Sequence, residues 1–220
     1  MKLEIVKSRR KTMSLQVLRP DILRVRVPYA CREFEISRFI DKNQQWINKQ
    51  LAQYKAYPGI PDSRFEDGGQ LWLFGERYDV RVVPGDSFDI KLNETSLVVT
   101  RAAKTDEQIR RKIQQWKRDF TEVYFSERLA ELHQSAPVSL PGYSFKIRKM
   151  KRQWGNCSRR GQITLSTALV RYPLECIDYV MWHELTHLKH FNHSASFYRL
   201  QEVLCPNWRE YKMKLERFSP

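Results

Sequence analysis

Residues 183–193 read His183-Glu184-Leu185-Thr186-His187-Leu188-Lys189-His190-Phe191-Asn192-His193, HELTHLKHFNH in one-letter code. On an α-helix, residues four apart lie about 40° apart around the axis and ~6 Å along it. His183 and His187 therefore project from one face and can share one ion. Glu184 lies beside that face, where its carboxylate reaches a water on the ion without displacing it, the position a general base requires. Imidazoles on such a helix suit zinc, so Zn2+ is the expected cofactor.

A catalytic zinc keeps three protein ligands and one open position. His190 shares the helical face but lies about 10 Å along the axis from His183, too far to join both others on a straight helix. A bend at Asn192, a residue type that tolerates the left-handed conformation at a helix end, swings His193 back toward the ion. The expected metal ligands are His183, His187 and His193, with His190 and Glu202 as alternates, and Glu184 is the expected catalytic residue. Four of the five histidines in the chain fall within these eleven residues, which fits a shared ligand role. His133 reads as an ordinary helix residue.

Upstream, Pro173 stands where a helix start tolerates proline, and the helix it opens runs through Ile177, Val180, Met181 and Leu188. Ser144–Lys151 and Gly161–Ser166 read as strands around a turn region at Gly155–Arg160. Short helices follow over Ser194–Leu204 and Trp208–Arg217. Asp106–His133 carries Ile109, Ile113, Trp116, Phe120, Val123, Tyr124 and Leu132 at helical spacing, capped by Thr105 or Asp106.

The N-terminal half reads differently. Met13–Leu18 and Ile22–Val27 alternate around Arg19-Pro20-Asp21, which predicts a β-hairpin. Ser37–Tyr54 reads as one amphipathic helix ended by the linker Pro58-Gly59-Ile60-Pro61. Leu71–Phe74, Tyr78–Val83, Phe88–Leu92 and Leu97–Thr100 predict an antiparallel meander. The expected class is α+β: a catalytic half, with the HExxH helix next to a small antiparallel sheet, preceded by a β-rich N-terminal half. The expected division is 1–104 and 105–220.

With 220 residues, 41% of them hydrophobic, the chain can bury about 70% of its unfolded surface, enough for one domain or two small ones. Charges interrupt every apolar run, so neither a signal peptide nor a membrane span is expected, and the reading is a soluble, cytoplasmic protein without a membrane partner. Cys31, Cys157, Cys176 and Cys205 form no C-x-x-C pair, so reduced thiols are the default. Cys157, in a β-turn region, reads as structural, since a fourth ligand would close the site. The formal charge of +14 attracts phosphates, nucleic acid or acidic surfaces. Part of it lies in Lys146, Arg148, Lys149, Lys151, Arg152, Arg159 and Arg160, with Phe145 and Trp154 interleaved. This segment is either a solvated strand face or an anion groove beside the metal, and Lys149, Lys151, Arg152 and Trp154 are the candidate substrate or anion contacts.

The block MKRQWGNCSRRGQITLSTALVRYP (150–173), followed by IDYVMWHELTHLKHFNHSASFY (177–198), resembles the YgjP-like metallopeptidase-domain family, related to WLM and SprT-like zincins. Its pattern is matched here by Trp154, Gly155, Cys157, Ser158, Ile163, Leu165, Asp178, Tyr179, Val180, Asn192, Ser194 and Phe197. Asn156 stands where a serine is expected, and His190 where zincins of the extended motif often place glycine. The resemblance implies a zincin-like catalytic half with three histidine ligands, and a strand before the helix that can pair with an extended peptide, as in other zincins.

The expected function is a zinc-dependent metallohydrolase, foremost a metallopeptidase, in which Glu184 takes a proton from the zinc-bound water and returns it to the leaving group. Asp178 and Glu202 are candidates to orient the histidines, while Tyr179, Tyr198 and Arg199 are nearby donors with no assigned role. The expected partner is a peptide or protein substrate, including one associated with nucleic acid, as the relatives suggest by analogy. Two other readings stay open: a metal-dependent phosphohydrolase acting on nucleoside triphosphates, and a non-catalytic nucleic-acid-binding protein using the basic surface.

Overall fold

A computed structural model describes residues 2–19, 22–56, 60–61, 63–101 and 105–218. By contacts the chain divides into Met1–Gly59 with Glu216–Pro220, and Ile60–Leu215. In the first unit, β1 (Lys2–Ser8), β2 (Ser14–Arg19) and β3 (Ile22–Pro28) form a sheet of order β1-β3-β2. The expected hairpin is the antiparallel β2–β3 pair, although Pro20 and Asp21 of its turn lie outside the described residues. β1 adds in parallel to β3. β3 is central, and its alternation buries Leu23, Val25 and Val27 against Ile36 and Ile47 of the two helices that follow.

Those helices, α1 (Glu33–Lys42) and α2 (Gln44–Ala56), replace the single helix expected over Ser37–Tyr54. Asn43 is the reason: its backbone N–H turns back to the Ile40 carbonyl at 3.0 Å, and its side-chain amide donates to the Phe39 carbonyl at 2.7 Å. These bonds satisfy the terminal carbonyls of α1 and close it. Pro58 and Gly59 of the expected linker lie outside the described residues.

The second unit opens with β4 (Gln70–Leu73), β5 (Glu76–Pro84), β6 (Asp89–Leu92) and β7 (Ser96–Arg101), in the order β4-β5-β7-β6. This is not the expected antiparallel meander, because β5 and β7 run parallel. β7 carries Leu97 and Val99, both fully buried, and takes the interior place, whereas the more exposed β6 takes the edge. The β4–β5 turn has positive φ at Phe74 (55°) and Gly75 (86°), the twist that two-residue hairpins favour. It docks on the segment ahead of the HExxH helix: the Phe74 and Gly75 N–H groups donate to the Val170 and Arg171 carbonyls at 2.7 and 3.1 Å. The sheet therefore belongs with the C-terminal helices, and the units divide at 59/60, whereas composition divides the chain at 104/105.

Next come α3 (Asp106–Ser135), β8 (Ser144–Arg148), β9 (Gly155–Cys157), β10 (Gln162–Ser166), a 3-10 turn (Leu169–Arg171), α4 (Leu174–His187), α5 (Ala195–Leu204) and α6 (Trp208–Phe218). Thr105 caps α3 reciprocally with Gln108, satisfying two amide donors at the helix start. The sheet β8-β10-β9 is mixed: β10 is antiparallel to β9, as expected of the small sheet, but parallel to β8. One face, with Ile147, Ile163 and Leu165 buried, backs onto helices. The fold is α+β, β-rich in its N-terminal half and helical toward the C-terminus. Among the described residues no helix is long and apolar enough to cross a membrane.

Candidate metal centre

α4 begins at Leu174 with Pro173 as its N-cap, so the missing proline donor falls where no intrahelical bond is needed. The helix ends at His187. The amides of Leu188 and Lys189 turn to the Leu185 and Thr186 carbonyls at 3.1 Å each, a tightening of the last turn. The Ser194 amide then reaches the Asn192 carbonyl at 2.8 Å, a three-residue turn centred on His193. The left-handed Asn192 of the sequence reading is not used: among the described non-glycine residues only Phe74 has positive φ. The chain reverses through short hydrogen bonds instead, and Ser194 caps α5 through the Phe197 amide.

This reversal gathers His183, His187 and His193, whose candidate ligand atoms all lie within 4.8 Å of one another. The Nε2 atoms of His183 and His193 are 3.0 Å apart. The buried ring of Phe197 forms a floor beneath all three, at centroid distances of 5.0, 4.7 and 4.7 Å. His187 Nδ1 lies 3.0 Å from the His190 carbonyl. That bond holds the proton on Nδ1 and frees Nε2 for a metal. His190 thus acts through its backbone, and its ring is outside the cluster.

Burial first, then the His187 and His193 imidazoles and the Lys212 ammonium, push His183 down to about 3. Burial likewise lowers His187. Both are neutral at physiological pH, the state in which imidazole ligates a metal. Gln201, fully buried on α5, accepts from the Thr186 hydroxyl at 3.5 Å through its Oε1, and its Nε2 is buried without a partner.

Glu184 is 4% exposed, and burial pushes its carboxyl up to about 8. Its Oε2 is buried with no hydrogen-bond partner. β9 lies over it: a Cβ built on Gly155 would come within 2.7 Å of Glu184 Oε1 and 2.9 Å of its Cγ. An orphaned carboxylate oxygen beside three gathered imidazoles is unfavourable without a counter-charge, so these residues fit a bound cation.

The remaining candidates fall elsewhere. Asp178 does not touch a histidine: Arg128 of α3 grips it through two hydrogen bonds of 2.9 and 2.7 Å. Glu202 accepts from Trp208 and Arg209 at 2.7 and 2.6 Å, which leaves it a structural role at the α5–α6 junction and no place among the ligands. Tyr179 and Tyr198 approach His183 and His193 at ring distances of 6.0 and 6.2 Å, while Arg199 donates to Ser196 at 3.0 Å. Lys149, Lys151 and Arg152 are exposed in the turn after β8. Trp154 packs edge-on to Tyr172 at 4.7 Å. Cys157 is pushed up to about 11 by burial and then by Glu184, so it stays a thiol at neutral pH and is a poor nucleophile. His133 bonds the Pro141 carbonyl at 3.0 Å.

Sequence reasoning quoted Gly155 and Phe197 only as parts of a pattern, and missed Gln201. The spacing of Phe197, Gln201 and Leu204, all buried on one face of α5, carries that signal: a glutamine at an apolar position is there to bond something.

Two histidines four apart on a helix, a third returned by the chain behind it and a buried acid between helix and strand make the arrangement of an HExxH metallohydrolase. A family model described as YgjP-like, metallopeptidase domain, matches residues 11–218, and the chain belongs to this family. Among solved structures it is similar to the metallopeptidase zymogens abylysin of Pyrococcus abyssi and jannalysin of Methanocaldococcus jannaschii. The first is 27% identical over 41% of this chain and 90% of that one, with a TM-score of 0.38. The second is 20% identical over 42% and 94%, with a TM-score of 0.37. No curated protein matches the chain.

Proposed function

We propose that the protein is a zinc metallopeptidase in which His183, His187 and His193 hold the ion and Glu184 is the general base. The observation that carries this reading is the unpartnered Oε2 of buried Glu184 beside three gathered imidazoles. Zinc rather than a harder cation suits an all-imidazole set. When bound, the ion polarises the scissile carbonyl and makes water acidic enough to react near neutral pH.

The protein's own groups do the rest. The His190 carbonyl fixes the orientation of His187, so its free nitrogen turns toward the other two imidazoles. Gly155 lets β9 close over Glu184 and hold the carboxylate out of bulk water. With a cation held by the three histidines, Glu184 would give up the proton that burial favours and stand as the carboxylate. Glu184 then accepts a proton from the attacking water and passes it to the departing amine nitrogen.

The test is metal content by elemental analysis for wild type, His193→Ala and Glu184→Gln, with each protein assayed on casein. The expected result is one zinc in wild type and Glu184→Gln, loss of zinc in His193→Ala, and proteolysis by wild type alone. Zinc-loaded Glu184→Gln cleaving casein at the wild-type rate would remove the proposed role of Glu184.

A further inference from the structure

From Leu132 to Leu174 the chain contains no Asp or Glu, while carrying Lys146, Arg148, Lys149, Lys151, Arg152, Arg159, Arg160 and Arg171. These eight cations amount to more than half of the net charge of +14, concentrated on the sheet that covers Glu184. Arg171 is engaged with Tyr172, and the other seven are exposed. Among the described residues none of the seven has a carboxylate partner.

The sheet sorts these residues by face. Register places Phe145, Ile163 and Cys157 side by side, then Ile147, Leu165 and Gly155, on the face that packs inward. On the opposite face the alternate positions of the flanking strands, Ser144, Lys146 and Arg148 of β8 and Asn156 of β9, are exposed, while on the central β10 Gln162 is half-buried and Thr164 and Ser166 are buried. The exposed ones are cations or neutral hydrogen-bonding side chains, the types that contact phosphate and sugar oxygens. Lys146 and Arg148 stand about 6.6 Å apart along the strand. Arg159 and Arg160 lie in the turn before β10, and Lys149, Lys151 and Arg152 follow β8, so positive charge runs from one end of the sheet to the other.

We infer that the exposed cations of β8 and of the turns at the two ends of this sheet form a docking surface for the phosphate backbone of nucleic acid. It presents no exposed large hydrophobic side chain between residues 132 and 173, which leaves nothing to enter a lipid layer. Its contacts are electrostatic, sequence-independent and separate from the metal.

The probe is a fluorescein-labelled 20-base-pair DNA duplex, titrated by anisotropy between 50 and 200 mM salt with zinc-loaded and chelator-treated full-length protein. Binding should persist without metal and weaken by about a thousandfold over that range. Lys146→Glu, Arg148→Glu and Arg159→Glu together should abolish it. The milder glutamine triple at the same positions should reduce the salt slope by about 0.9 per cation, close to 3 in all. A charge-matched set, Lys11→Glu, Arg38→Glu and Lys49→Glu, should retain most of the affinity. Equal loss in the two glutamate sets would assign the effect to net charge and overturn the inference. So would binding to anionic vesicles as tight as to the duplex, or no binding at 50 mM salt. Failure here leaves the metal and casein measurements untouched.

Discussion

Gly155 and Glu184 share a space that has no room for a methyl group: a Cβ at 155 would stand 2.7 Å from Glu184 Oε1 and 3.0 Å from its Cδ. Strand β9 therefore sets the position of the acid. In Gly155→Ala either the strand or the carboxylate must move. Displacing a catalytic group by about an ångström costs on the order of a hundredfold in rate. The expected outcome is that loss in kcat with zinc content unchanged, read by steady-state kinetics beside elemental analysis. Unaltered kcat would mean that the position of Glu184 is not critical.

Burial sets a pH signature on the metal-free protein. Glu184 titrates at about 8 when folded against an ordinary 4.5, so the folded state keeps a proton that the unfolded chain releases, and the stability linked to it falls as pH rises from 4.5 through 8. Glu184→Gln has no such proton. In chelator, wild type should lose on the order of 3 kcal/mol relative to Glu184→Gln between pH 5 and 8, measured by urea denaturation. Parallel curves for the two proteins would contradict it. His183, lowered to about 3 from 6.5, acts in the opposite sense: its contribution is present above pH 6.5 and lost as pH falls toward 3, in both proteins.

Gln201 is buried behind the metal helix, where its Oε1 accepts from the Thr186 hydroxyl at 3.5 Å. Gln201→Leu should weaken zinc affinity by about 10–100-fold, read by competition with a chromophoric chelator, and Gln201→Glu, which keeps the acceptor, should recover most of it. A lowered melting temperature with unchanged zinc affinity in Gln201→Leu would reduce the residue to a packing role.

Arg128 and Asp178 tie α3 to α4 without touching the metal ligands. Arg128→Ala leaves the Asp178 side chain, 22% exposed, unpaired, and should cost about 1–3 kcal/mol of stability. Its zinc affinity should stay within about twofold of wild type. A tenfold drop would return Asp178 to the ligand-orienting role that sequence suggested.

Much of this arrangement is legible in the string 183–193 because helical geometry is local: spacing alone aligns His183 with His187, and the only question is where the helix stops. The helix stops before Asn192, and the 3-10 closure at Leu188 and Lys189 that stops it leaves no compositional mark. The long helix α3 was equally legible from its apolar period and Thr105. Strand order was not. β9, Gly-Asn-Cys, has no alternation to announce it, and β1, interrupted by Lys2, Glu4 and Lys7, looks like a solvated tail until β3 pairs with it. The parallel β5–β7 contact depends on which strand is apolar enough to sit inside, a comparison between segments that no window along the chain makes. Gln201 and Gly155 matter through partners distant in sequence for the same reason.

The turn at Phe74 and Gly75 bears on how this enzyme can be cut or rearranged. Its amides hold the carbonyls just ahead of α4, and the Gly75 Cα sits so close to Pro173 that even a methyl group there would meet that ring at 3.0 Å. The smallest autonomous piece able to present the metal helix therefore begins near Ile60 rather than at Thr105. For the same reason the Phe74–Gly75 tip, though it is a hairpin end of the kind that usually accepts grafts, is a poor place to open the chain for circular permutation or to insert a tag.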